Sequence, residues 1–168
     1  YITGKGRCNI TNACETEELF QKIMSNAKFM YSAIYNFTNQ DVIDMFNRLG
    51  CPTKVERGDR VFPISDKSSD VISALQREMK KNNVKVYYNT NVEDICIDEG
   101  KFVAIKISQN GKKSKVNGDK LIIATGGLSY SSTGSTGDGY EFARKLGHTI
   151  TELRPSLVPF NLKGSEYK

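Results

Sequence analysis

The 168-residue sequence contains no tryptophan, four prolines and a single histidine, His148. It has no apolar run near the ~20 residues that a membrane-spanning helix needs, and no signal-peptide pattern. The four cysteines form no Cys-x-x-Cys pair and have no neighbouring histidine. A metal site is therefore not predicted, and a reduced, cytoplasmic setting without membrane contact is expected.

An excess of one charge is also missing, since 24 Lys and Arg face 19 Asp and Glu, for a net charge of +5. The lysines cluster at predicted ends of helices and hairpins, where such side chains are usually solvated. Nucleic-acid binding is therefore not predicted. The length suffices for one domain with a buried core.

Two nucleotide-binding signatures are absent. Gly4-Lys5-Gly6 is not a Walker A loop, because the long spacer and the Lys-Ser/Thr ending are missing. No Gly-x-Gly-x-x-Gly turn follows a strand, which disfavours a nicotinamide-nucleotide domain without flavin. Residues 1–14 nevertheless concentrate Gly, Lys, Arg, Asn and Thr. That composition is typical of a loop that binds phosphate or a polar ring, and a solvated turn is the alternative.

The most informative stretch is residues 120–148. Residues 121–124 are continuously apolar, which predicts a strand covered on both faces in a parallel sheet. A Thr-Gly-Gly sequence follows, where a ligand can approach the backbone closely. Asp138 is expected to cap a helix that ends at Gly147. This order favours a site for an anionic or polyhydroxy ligand, and an ordinary strand-loop-helix connection is the alternative.

The remaining pattern predicts an α/β fold with an antiparallel β-meander. Thr38 or Asn39 is expected to cap one helix, and Ser68 or Ser69 another. The aromatic residues between positions 29 and 37 are interpreted as packing residues. Helices are predicted over residues 15–26, 39–49 and 69–82, a hairpin over 54–62, and strands over 84–88, 92–98, 102–108, 114–116 and 121–124.

Three segments together resemble one family. They are Ile2-Thr3-Gly4-Lys5-Gly6-Arg7-Cys8-Asn9-Ile10-Thr11-Asn12; Gly58-Asp59-Arg60-Val61-Phe62-Pro63 followed by Ser65-Asp66-Lys67-Ser68-Ser69; and Ala124-Thr125-Gly126-Gly127 with Thr133-Gly134-Ser135-Thr136-Gly137-Asp138-Gly139-Tyr140. They are similar to the bacterial flavoproteins called YhiN-like, BaiN-like or aminoacetone-oxidase-like. The resemblance implies a partial FAD/NAD(P)-binding, Rossmann-like domain of the glutathione-reductase type. It also implies an FAD-dependent oxidoreductase acting on a small molecule, with NAD(P)H as a candidate reductant.

The chain is expected to be a middle fragment of such a protein. It begins with Tyr1 in a glycine-rich motif and lacks the family's N-terminal Gly-x-Gly-x-x-Gly unit. Residues 1–153 would form a partial FAD-binding domain, and residues 154–168 would lead to an insert domain. The fragment alone is expected to be inactive and to bind FAD poorly or not at all. No oligomeric state is predicted.

The resemblance implies cofactor contacts in three places. For Asp138 a plain helix cap is the alternative, whereas Arg7 suits a phosphate because its planar fork binds bidentately. The implied contacts are Thr3, Gly4, Gly6, Arg7, Cys8 and Asn9 along the pyrophosphate, ribityl chain and flavin; Val92 at the adenine; Ala124, Thr125 and Gly126 at the strand exit; and Asp138 near the ribityl chain or flavin.

No catalytic acid or base is predicted. The spacing of Cys8 and Cys14 does not match the dithiol of disulfide reductases with this fold, so Cys8 is expected to be inert or merely flavin-adjacent. His148 is interpreted as a structural residue at a helix end. Tyr130 is a candidate flavin-side residue. A non-catalytic module that binds a protein or an anionic partner is the alternative function.

Overall fold

The computed structural model describes residues 6–155 and divides the chain into two compact units, Tyr1–Val86 and Tyr87–Lys168. Each unit contains one antiparallel sheet of three strands together with helices. No helix among the described residues is both long and apolar enough to cross a membrane.

The first unit builds its sheet around a central strand, β3. The strand order is β1-β3-β2, with Val61 of β3 opposite Thr11 on one side and Val55 on the other. The elements are β1 (Thr11–Asn12), α1 (Thr16–Lys22), a 3-10 turn (Ala27–Met30), α2 (Tyr31–Asn36), α3 (Asn39–Arg48), β2 (Thr53–Glu56), β3 (Arg60–Pro63) and α4 (Ser68–Lys81).

The core of this unit lies where β3 and the apolar stripes of α3 and α4 are buried. Val61 and Phe62 are at most 1% exposed. A separate buried cluster comprises Phe46, Cys51, Val71 and Ala74. Thr38, one of the two predicted caps, is the N-cap of α3 and forms a capping box: Asp41 N–H donates to Thr38 Oγ1, and the Asp41 carboxylate accepts from the Thr38 backbone N–H.

The second unit contains the predicted meander. Strands β4 (Thr90–Asp98), β5 (Lys101–Gln109) and β6 (Lys112–Asn117) pair in that order. Both connecting turns have positive φ at two successive residues, of which the second is Gly100 or Gly111, as tight hairpins require. Ile95, Ala104 and Ile107 are buried, whereas all of β6 is exposed. A 3-10 turn (Ser131–Thr133) and α5 (Asp138–Lys145) follow.

Two predicted strands are wrong. Residues 84–88 and 121–124 pair with no strand in the described part of the chain. Ile122 is 89% exposed, so the apolar run is not covered on both faces here. The reason is physical: a hairpin carries its partner within a few residues, whereas a strand of a parallel sheet depends on partners distant in sequence.

Some local predictions also fail. The N-cap of α4 is Lys67, which makes no side-chain capping bond, rather than Ser68 or Ser69. The N-cap of α5 is Gly137, and Asp138 is its first helical residue. Strand β1 and helix α2 were not predicted, because two residues of strand and six of helix leave almost no periodic signal.

Candidate functional site

The first candidate segment is residues 6–9, at the start of the described chain. Gly6 and Cys8 both have left-handed backbones, with φ of 87° and 66°. Such a φ is unusual for a residue other than glycine, so the turn at Cys8 must be held by its surroundings. The predicted contacts Thr3 and Gly4 lie outside the described residues.

Arg7 is the best-anchored side chain of this segment. Its Nη1 donates to both carboxylate oxygens of Glu56, each at 3.0 Å, and approaches Asp66 Oδ1 at 3.4 Å. Its guanidinium lies over the ring of Phe62, with Cζ 4.0 Å from the ring centroid. A flat cation on an aromatic face gains from electrostatic attraction to the ring. The hairpin β2–β3 thus supplies both an anionic and an aromatic support for Arg7.

Lys54 completes a cluster of four charges. Its Nζ lies 2.6 Å from Asp66 Oδ2 and 3.3 Å from Glu56 Oε1. The hydrogen bond from Arg7 lowers the pKa of Glu56, and that from Lys54 lowers the pKa of Asp66. Both carboxylates are therefore ionised at neutral pH, and the two negative charges balance the two positive ones. The contact of Arg7 with a cofactor phosphate stays a prediction.

The two residues after Arg7 are tied to the body of the first unit. In the orientation that satisfies its hydrogen bonds, the Asn9 amide nitrogen donates to the carbonyl oxygens of Thr11 (3.1 Å) and Val61 (3.2 Å). Cys8 is half-buried and packs against the buried cluster that contains Cys51. Cys8 and Cys14 are free thiols, and burial raises the pKa of Cys14.

The second candidate segment is residues 124–127, which lie against the start of α5. A Cβ added to Gly139 would overlap Thr125 Oγ1, and one added to Gly126 would lie 2.9 Å from Ser135 Oγ. Gly126 also has a left-handed φ of 76°. The structure thus brings Thr125 and Gly126 against Gly139 and Ser135, although residues 121–124 form no strand, and cofactor contacts of Ala124, Thr125 and Gly126 stay predictions.

Glycine is required on the helix side of this contact as well. Gly137, the N-cap of α5, has a φ of 90°, and a Cβ there would lie 2.8 Å from a methyl carbon of Leu128. Helix α5 has no side-chain cap at its N-terminus, so its first N–H groups are not satisfied by a capping side chain. Asp138 places a carboxylate in the first turn, where it complements the helix dipole.

The other predicted residues of this unit are placed individually. Val92 pairs with Ile107 in the meander, next to a β-bulge before Asp94. Tyr130 precedes the 3-10 turn and is 60% exposed. The His148 backbone N–H donates to the Ala143 carbonyl at 3.0 Å in a Schellman-type cap, and the structural role of its side chain stays a prediction. Direct cofactor contacts of Val92, Tyr130 and Asp138 stay predictions.

Sequence reasoning missed the partners of Arg7. Glu56 is 49 residues and Asp66 is 59 residues from Arg7. The alternation of Lys54 and Glu56 along β2 was a usable signal, since residues two apart share one face of a strand. In the described part of the chain, no group of three or more His, Cys, Asp and Glu side chains is arranged to hold a metal ion.

Comparison with known families supplies the deciding observation, because residues 1–156 match the family model described as the HI0933-like protein Rossmann domain. The chain belongs to this flavoprotein family. The family predicted from the three motifs is therefore confirmed, and so is the partial Rossmann-like α/β fold.

Curated relatives of this chain include two kinds of enzyme. A 3-dehydro-bile acid delta(4,6)-reductase of Clostridium scindens is 32% identical over 96% of the chain and 37% of its own length. Ribosomal RNA dihydrouridine synthases of Escherichia coli and Haemophilus influenzae are 32% and 28% identical, over 38% and 40% of their lengths. The chain thus spans about two-fifths of these relatives.

Proposed function

We propose that this chain is part of an FAD-dependent oxidoreductase that acts on a small molecule. FAD, when bound, supplies the hydride or electron transfer. The observation that carries the proposal is the match of residues 1–156 to the Rossmann domain of this family. The start of α5, which has no side-chain cap, is the proposed place for an anionic part of the cofactor. Asp138 is suited to accept a hydrogen bond from a cofactor hydroxyl, since an ionised carboxylate is only an acceptor.

The predicted roles of individual residues are proposed on the same basis. Residues 6–9 are one proposed contact segment, and residues 124–126 with Asp138 are another. Val92 is the proposed adenine contact. Residues 154–168, of which positions 156–168 lie outside the described residues, are proposed to lead toward an insert domain. NAD(P)H as the reductant and a cytoplasmic location are further proposals.

The relatives are named for two different classes of substrate. One relative is named for a bile-acid substrate and two are named for ribosomal RNA, and two of these sequences share the same 32% identity with the chain. We propose a small molecule because the net charge of +5 is modest and part of the lysine charge is paired locally. Lys106 and Lys145 contact Asp94, and Lys113 contacts Glu93.

A reductive titration of the complete purified protein tests this function. The protein should show oxidised-flavin absorbance, release a compound with the mass of FAD on heating, and lose its flavin band on addition of NADH or NADPH. Substrates are then offered as steroid ketones and as ribosomal RNA. Turnover of RNA alone would contradict the substrate class, and a colourless protein that takes up no FAD would leave the binding module as the better description.

A further inference from the structure

Arg7 is held from three sides within the first unit, and its supports come from two elements distant in sequence. Glu56 lies at the end of β2, and Asp66 follows β3 in a turn closed by its own N–H bond to the Pro63 carbonyl at 3.0 Å. Phe62, on which the guanidinium rests, is 1% exposed. A buried ring has little freedom to move, so it fixes the plane of the cation above it.

The backbone beyond Arg7 is fixed independently. Ile10 N–H donates to the Val61 carbonyl at 2.8 Å, and Ala13 N–H donates to the Asp59 carbonyl at 2.7 Å. The left-handed Cys8 lies between these bonds and Arg7. The strained turn is therefore clamped at both ends, by a strand ladder after it and by the Arg7 ion pair before it.

We propose that Glu56, assisted by Asp66, is a positioning residue that holds Arg7 on Phe62 and thereby fixes the backbone of residues 6–9 for the cofactor. The inference rests on the proposed function for its ligand, FAD. This role is separate from the proposed phosphate contact of Arg7: Glu56 acts on the backbone of residues 6–9 through the Arg7 guanidinium. Lys54 forms an ion pair with each of the two carboxylates.

Equilibrium binding of FAD to the apo form of the complete protein tests this role. Glu56→Gln keeps the size of the side chain but removes its charge, and Arg7→Gln removes the other partner. If Glu56 positions the segment, each variant should weaken FAD binding roughly tenfold, as expected for the loss of one charged hydrogen bond. The double variant should have about the same FAD affinity as whichever single variant binds FAD less tightly, because both changes break the same interaction.

Two further variants, Arg7→Lys and Glu18→Gln, serve as comparisons in the same FAD-binding measurement. Arg7→Lys retains the charge but loses the fork and the flat stacking surface, so it should not restore binding. Glu18→Gln removes a carboxylate that pairs with Lys22 at 3.6 Å on α1, and should leave FAD affinity unchanged. Thermal unfolding of every variant separates a general loss of stability from a specific loss of affinity.

Three results would overturn the positioning role. Glu56→Gln with wild-type affinity, beside a weak Arg7→Gln, would make Arg7 a direct phosphate ligand. Additive losses would show that the two side chains act separately, and a lowered melting temperature with unchanged FAD affinity would make Glu56 merely structural.

Wild-type protein without FAD affinity would instead contradict the proposed function. Hydrogen exchange at residues 8–10 would then still report on the clamp, since Glu56→Gln should accelerate it and an unchanged rate would refute the clamp.

Discussion

The two candidate segments are held by different kinds of interaction. In the first unit, residues 6–9 are fixed by side chains: a cation between two carboxylates, an aromatic ring beneath it, and an amide bonded to two carbonyls. In the second unit, residues 124–127 are held by close packing. The glycines at positions 126, 137 and 139 have no Cβ, so neighbouring atoms can approach their backbone. Charge removal should therefore perturb the first segment, and added bulk should perturb the second.

The largest effect is expected in the core of the first unit. Phe62→Ala removes a ring that is 1% exposed and should lower the free energy of unfolding by about 3–5 kcal/mol. Chemical denaturation of the purified protein measures the loss. Val116→Ala in β6 is the matched control: Val116 is 39% exposed, so its truncation should cost no more than ~0.5 kcal/mol. Equal losses of unfolding free energy at the two positions would remove the contrast between the buried strand β3 and the exposed strand β6.

Added bulk at Gly139 is the next largest perturbation. Gly139→Ala should destabilise the second unit by about 1–3 kcal/mol, because the new Cβ overlaps Thr125 Oγ1. Helix propensity alone predicts the opposite sign, since alanine is the better helix former.

A second substitution identifies the cause. Adding Thr125→Ala to Gly139→Ala removes the overlapping oxygen and should recover part of the lost stability, read by the same denaturation. A stabilised single variant, or no recovery in the double variant, would show that the close contact does not fix this segment.

Helix starts offer a smaller contrast between the units. Helix α3 has a full capping box at Thr38, whereas α5 begins after Gly137 without a side-chain cap. Thr38→Ala should therefore cost about 1 kcal/mol of stability. Thr38→Ser keeps the hydroxyl and should retain most of it, as measured by urea titration. A serine variant as unstable as the alanine variant would show that the methyl group, rather than the cap, carries the effect.

The smallest expected effect is electrostatic and lies in the second unit. Hydrogen bonds from Lys145 and Lys106 lower the pKa of Asp94 from 3.8 to about 2. Because the folded-state pKa is below the unfolded one, these contacts stabilise the fold above about pH 4, and that contribution disappears as the pH falls toward 2. Asp94→Asn should lower the urea midpoint slightly at neutral pH, by little because exposed ion pairs are weak and screened.

The pH profile separates this contribution from other effects of the substitution. Wild-type and Asp94→Asn midpoints should converge as the pH approaches 2, where the carboxylate is half protonated in the folded state. Asp98→Asn, at the exposed end of the same strand, is the control. It should leave the difference between the urea midpoints at neutral and acid pH as it is in the wild type. A constant gap between wild type and Asp94→Asn at all pH values would contradict the ion-pair account.

Features coded by nearby residues were predictable from the sequence. The hairpin turns and the glycine end of α5 depend on neighbours within about four residues and were predicted correctly, and Thr38 was one of the two predicted caps of α3. The family was predictable because the three motifs stand in the order and spacing of the family that they resemble.

Features that depend on distant partners were not predictable. The apolar run at residues 121–124 reads as a buried strand, yet burial is a property of what packs on it, and Ile122 is exposed here. The Arg7–Glu56 contact joins residues 49 positions apart, and no local pattern encodes such a separation. The packing of Cys8 against the buried cluster needed the tertiary structure, and the absence of a dithiol mechanism stays a prediction.

Hydrogen exchange of the complete protein with and without FAD tests the central claim most directly. FAD should slow exchange at residues 6–10 and at residues 124–127, because both segments are proposed to contact the cofactor. Binding of FAD that leaves exchange unchanged in both segments would contradict the account and place the cofactor elsewhere in the protein.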